Sequence, residues 1–310
     1  MLQFRKTQKL AVASCLLFGS MFFSNALSAQ QKVNNLTQIT MNQVENARKG
    51  YDRKGQSANP MPPSMKIKDE IIAGVNCHWL IPAEAKSDRI IVYLHGGCFV
   101  FGSFMSHENM VSNISDILHT KIVFVDYSLA PEKPFPAGVN DITKVYQKLI
   151  TDFPESKFYI FGDSAGAGLS VSVIGDLIAA QSKLPEAAVF LSGWIDLHCD
   201  NPSYSSNQTL DPILSQSSLK GFAQLYAGSH SISQADPNSL KFKTFPPVLL
   251  VVGTREVLED DSKKFYETIK TIQPKAKLTI YPGQTHVWPF DDIHSEASVK
   301  MMDEIKDFIY

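Results

Sequence analysis

From residue 89 onward the chain alternates between short apolar runs and longer stretches in which apolar positions recur every three or four residues. The apolar runs cover 89–94, 121–126, 157–161, 188–192, 248–252 and 277–281. They are rich in β-branched and aromatic residues and show little polar alternation, the pattern of strands buried on both faces. Between them, residues 140–151 place Ile142, Val145, Tyr146 and Leu149 on one helical face. Residues 166–181 do the same with Val171, Val173, Ile174 and Leu177, and residues 261–272 with Phe265, Ile269 and Ile272. A last helix is predicted over 294–309, burying Val299, Met302, Ile305 and Phe308. Strands alternating with helices predict an α/β fold whose mostly parallel sheet is covered on both faces. Residues 70–80 predict an edge hairpin, 33–50 a helix, and 51–65 a loop.

One stretch breaks the rhythm. Residues 197–244 separate the fourth and fifth strands and are rich in Ser, Asn, Gln and Pro, with a helix expected over 216–227. Connections this long are usually functional. We expect this insertion, with residues 31–50, to form a small cap over the site of a single domain spanning 30–310.

The first residues read differently. Arg5, Lys6 and Lys9 precede an apolar stretch from Leu10 to Phe23, and small residues follow up to Ala29. That order is the order of a secretory signal peptide over 1–29, with cleavage after Ala26 or Ala29. A periplasmic or extracellular home and no stable membrane insertion after cleavage are expected. Cys77, Cys98 and Cys199 then remain, enough for one intramolecular bridge. The composition, 44% hydrophobic and 19% charged with a net charge of −2, excludes a wholly disordered chain. It carries no basic excess, so no nucleic-acid partner is expected.

The chemistry starts at Gly162-Asp163-Ser164-Ala165-Gly166, which follows an apolar run and opens a helical stretch. G-x-S-x-G between strand and helix is the nucleophile elbow, which lifts the serine hydroxyl clear of the sheet. Ser164 is the predicted nucleophile. A serine hydroxyl needs a base, and His286, in the loop after the last strand, is best placed to reach it. The base in turn needs a carboxylate to hold its tautomer. The loop after 248–252 offers Glu256, Glu259, Asp260 and Asp261. Glu256 comes first after the strand and is preferred; Asp260 is second. The order serine, acid, histidine is that of α/β hydrolases. For the oxyanion we assign the N–H groups of Gly96, Gly97 and Ala165.

Four blocks in this order resemble the hormone-sensitive-lipase-like group of serine esterases, the bacterial family IV carboxylesterases of the α/β-hydrolase fold. His95-Gly-Gly-Cys-Phe-Val-Phe-Gly-Ser103 resembles the oxyanion block, and Asp126-Tyr-Ser-Leu-Ala-Pro-Glu-Lys-Pro-Phe-Pro-Ala137 a second block. Gly162 to Gly166 matches the nucleophile block, and Gly253 to Asp261 is similar to the acid block. The resemblance implies a small-molecule ester of short to medium acyl length as substrate. It implies no cofactor and no metal, a bacterial source, and a monomer or homodimer. A deacetylase, lactonase or amidase with the same triad is the alternative, and a ligand-binding protein without catalysis a further one. Cys98 stands where the group usually has a third glycine. Together with Phe99 it is expected to touch the substrate. Ser128 replaces a usual arginine, which removes an ion pair, and Asp126 is expected to be buried scaffold.

Overall fold

The structure, a computed structural model, describes residues 41–310. The expected signal peptide and residues 31–40 of the first cap segment lie outside the described residues. Helix α1 (Met41–Gln56) leads to the hairpin β1 (Lys66–Ile72) and β2 (Val75–Ile81), followed by β3 (Lys86–Leu94), α2 (Phe104–Ile117) and β4 (Thr120–Val125). Next come α3 (Ala137–Asp152), β5 (Lys157–Asp163), α4 (Ala165–Ala179) and β6 (Ala187–Leu191). The insertion holds α5 (Ser203–Ser206), α6 (Gln216–Ala227) and α7 (Ile232–Ala235). The chain closes with β7 (Val248–Gly253), α8 (Glu259–Ile269), β8 (Lys277–Tyr281) and α9 (Glu296–Ile309).

The eight strands form one sheet in the order β1-β2-β4-β3-β5-β6-β7-β8. The β1–β2 and β2–β4 pairs are antiparallel, and every pair from β4 to β8 is parallel. Successive side chains of a strand point to opposite faces. In β3, Ile90, Val92 and Leu94 therefore join a core with α3, α4 and α8, while Ile91 and Tyr93 join another with α2 and α9. This two-sided burial is why the central strands carry no polar alternation.

Helix α1 runs past Gly50 to Gln56, where a loop was expected. Side chains on its far turns are held by the body of the protein. Asp52 accepts a hydrogen bond from Ser103 Oγ at 2.7 Å, and Tyr51 stacks on Phe290. Gly55 lies against the backbone of Ser106 so closely that a Cβ would stand 1.7 Å from its carbonyl oxygen. Nearer the start of α1, Arg48 donates to the carbonyls of Val100 and Ala130 and pairs with Glu132. Val44 packs with Val100 and Ala130, against Phe222 and Leu225 of α6, so α1 and the insertion meet above the loop that follows β3.

Three further differences follow. Helix α2 escapes an apolar reading because its buried side includes Ser106, His107, Ser112, Asn113 and Ser115. Val299 is exposed, and α9 instead buries Met301, Met302, Ile305 and Ile309. Asp126 is half-buried, taking the N–H of Phe104 at 3.1 Å and His78 Nε2 at 2.9 Å. Ser128 donates to Asp141 through both its N–H and its hydroxyl, a neutral contact on a carboxylate. Cys77, Cys98 and Cys199 are buried and no disulfide joins them. Among the described residues no helix is long and apolar enough to cross a membrane.

Asn59 locks the exit of α1 to the loop before α9. Its amide donates to the carbonyls of Pro289 and Phe290 at 2.8 and 3.0 Å, and its oxygen accepts the N–H of Ile293 at 2.8 Å. Asn59→Ala leaves these buried groups unpaired and should cost about 2–3 kcal/mol, read as a lower midpoint in urea unfolding.

Candidate active site

Four adjacent parallel strands bring the site together at their carboxyl ends. Strand β5 ends at Asp163 and β6 at Leu191, immediately ahead of Ser164 and Ser192. Glu256 lies in the turn after β7, and His286 in the loop after β8. The turn at Ser164 is tight. Ser164 has φ +51°, which a non-glycine residue adopts only under restraint. Its N–H donates to Leu191 O at 2.9 Å, and its carbonyl accepts from Ala167 and Trp194. Gly166 permits the turn to sit against β3, for a Cβ there would stand 1.9 Å from Leu94 O.

Ser164 Oγ lies 3.0 Å from His286 Nε2, and His286 Nδ1 lies 3.1 Å from Glu256 Oε2. All three residues are buried. Burial by itself would lower the imidazole's pKa. The hydrogen bond and charge of Glu256 outweigh it, with smaller help from Asp211 and Asp163, and hold His286 above its ordinary value of 6.5. Glu256 Oε1 accepts the N–H of Gly253 at 2.6 Å and the hydroxyl of Ser192 at 2.8 Å. Asp260, the second candidate acid, is turned away: it accepts the N–H of Ser203 and pairs with Lys263. Asp261 is committed elsewhere too, accepting from the backbone N–H groups of Ile195 and Asp196 and from Asn201. These bonds are geometry of the kind general-base chemistry on a serine hydroxyl requires.

The loop after β3 differs from expectation at one of its glycines. The Gly96 N–H donates to Asp163 Oδ1 at 3.0 Å, so it is occupied within the protein. Tyr93 OH donates to the same oxygen at 2.9 Å. Asp163 is buried, and burial would raise its pKa. The charge of His107, whose Nε2 lies 3.6 Å away, leads the effects that bring it below its ordinary value. Gly96 thereby anchors the loop on the residue next to Ser164. Gly97 has φ +114°, and a Cβ on it would clash with the carbonyl of Phe101 at 2.4 Å. Among the described residues, no acceptor takes the N–H of Gly97 or of Ala165. Phe99 stacks on Tyr226 at 3.9 Å between ring centres and meets Trp194 at 5.1 Å; Cys98 is buried beside it.

Ser192 was not read as a site residue from the sequence. The available signal was a polar residue closing the apolar run 188–192. Asp163 was read only as the variable position of the elbow, since its partners Tyr93 and Gly96 lie far away in sequence.

The family pattern described as an alpha/beta hydrolase fold matches residues 91–290, which hold every residue placed in this site. The chain belongs to the hormone-sensitive-lipase-like group of that family. An acetyl-hydrolase of Streptomyces hygroscopicus is 32% identical over 254 residues, covering 79% of this chain and 83% of the relative. An esterase of Acinetobacter venetianus is 32% identical over 229 residues, covering 72% of this chain and 75% of the relative. The crystal structure of an esterase from the bacterial hormone-sensitive lipase family superposes with a TM-score of 0.83 at 28% identity, over 92% of this chain and 98% of that one.

His95 opens the same loop and is buried and uncharged. Burial first, then the neighbouring His107, lowers its pKa to about 4. Its Nδ1 holds Gly96 O at 2.7 Å, and Tyr127 OH donates to its carbonyl at 2.6 Å, which fixes the start of the loop. Between pH 6.5 and 4 the unfolded chain therefore binds a proton here that the folded chain does not. Stability should fall as pH drops through that window, by about 3 kcal/mol in full. Urea unfolding across that range should show this slope, and His95→Asn a shallower one.

Proposed function

We propose that the chain is a carboxylic ester hydrolase for short- to medium-chain acyl esters, working through an acyl-enzyme. The observation that carries this reading is the unbroken chain of hydrogen bonds from Ser164 through His286 to Glu256. His286 Nε2 takes the Ser164 proton as Oγ attacks the ester carbonyl. Glu256 fixes the Nδ1–H tautomer and offsets the imidazolium charge that forms. The N–H groups of Gly97 and Ala165 meet the negative charge that develops on the carbonyl oxygen, while Gly96 serves as their anchor through Asp163. His286 then gives its proton to the leaving alkoxide. Water, activated by the same histidine, releases the acid and restores Ser164.

Cys98 and Phe99 stand beside the oxyanion loop and supply an apolar wall for the acyl group. The aromatic packing of Phe99 with Tyr226 and Trp194 keeps that wall rigid, which favours small acyl groups. The name acetyl-hydrolase carried by a relative points the same way.

The test is turnover of p-nitrophenyl esters of rising acyl length by wild-type and Ser164→Ala protein. Wild-type kcat/KM should peak at the short lengths and fall by about six orders of magnitude in the variant. No turnover at any length by folded wild-type protein would overturn the reading. The pH profile gives a second check. Because only neutral His286 accepts the proton, and Glu256 holds its pKa up, kcat/KM should rise along an acid limb centred above 6.5. In Glu256→Gln the carboxylate charge is gone, so that limb should move to lower pH while kcat falls.

A further inference from the structure

We infer that Ser192 is a positioning residue of this site, setting the acid and the histidine in mutual register through one hydroxyl. The inference rests on the ester-hydrolase reading above. Ser192 follows β6, which lies between β5, the strand that presents Ser164, and β7, the strand that leads to Glu256. It is fully buried. Its Oγ donates to Glu256 Oε1 at 2.8 Å and accepts the N–H of Val287, the residue after His286, at 3.1 Å.

Each bond removes a different freedom. A carboxylate can swing about its last side-chain bond. With Oε1 held by Ser192 and by the N–H of Gly253, Oε2 is the oxygen turned to His286 Nδ1. Val287 has φ +46°, a conformation that a β-branched residue avoids unless it is held. The bond from its N–H restrains the peptide that links it to His286, and with it the base of the imidazole. One hydroxyl thus ties the acid loop to the histidine loop independently of the bond those two residues make to each other.

The backbone points in the same direction. Ser192 has φ +52°, and its N–H is fixed to Val251 O at 2.7 Å. Glycine adopts such a φ without steric cost. A serine there carries strain, and what it adds over glycine is the hydroxyl.

This makes Ser192→Gly the informative variant, with Ser192→Ala beside it. Glycine deletes the hydroxyl and suits the backbone. We expect Ser192→Gly to fold cooperatively and to show kcat on a short-chain p-nitrophenyl ester reduced by about tenfold, with KM within twofold of wild type. Labelling of Ser164 by a fluorophosphonate should slow in parallel, since that reaction needs the base but no ester turnover. Wild-type kcat and labelling rate in Ser192→Gly would overturn the proposal. So would a change confined to KM, or loss of the folded state in both variants, which would make the hydroxyl structural. A wild-type protein that neither turns over esters nor takes the label would instead sink the functional reading, and this one with it.

Discussion

The arrangement depends on a close approach of backbones at the start of α4. The turn between β5 and α4 sits against the end of β3, in a gap that a single methyl group on Gly166 would fill. In that turn Ser164 has a positive φ, and its hydroxyl faces His286. A strained residue persists only where its surroundings over-determine it. Here three backbone hydrogen bonds, to Leu191, Ala167 and Trp194, do so. The strain is thus distributed over β6, α4 and the segment that follows β6, and no single contact bears it.

A second layer of polar groups beneath the turn serves the same end. Asp163 is buried among Tyr93, Gly96 and His107. An unpaired carboxylate at that depth would be costly. Paired, it fastens the loop after β3 to the residue beside Ser164, so the N–H groups of Gly97 and Ala165 are set relative to Ser164 through one side chain. His95, kept neutral by burial, closes the loop from its other end.

Much of this could be read from the residues in order. The elbow, the glycine loop and the order of serine, acid and histidine are local signals, each contained in a few consecutive positions. Glu256 stood out over Asp260 because it comes first after its strand, and the structure turns Asp260 toward Ser203. What escaped the reading depends on distant partners. Nothing near Gly96 reveals that its N–H is taken by a carboxylate from another strand. Nothing near Ser192 reveals that two loops converge on it. Helix α2 was missed for a related reason: serines, a histidine and an asparagine fill its inner side, and of these Asn113 bonds the carbonyls of Asn59 and Pro60, which only the fold brings near. The extension of α1 through Gly55 has the same origin, since the glycine fits there because Ser106 lies against it.

Ser164, Ser192, Glu256 and His286 follow β5, β6, β7 and β8, which lie side by side in that order. Side chains alternate between the two faces of a strand, so a slip of one residue in any of the three ladders between them would send a member of the set to the wrong side. The site is therefore a gauge of register. Recovery of the hydrogen-bonded set during refolding would report that this half of the sheet has paired correctly, a condition that a measure of secondary-structure content alone would not detect.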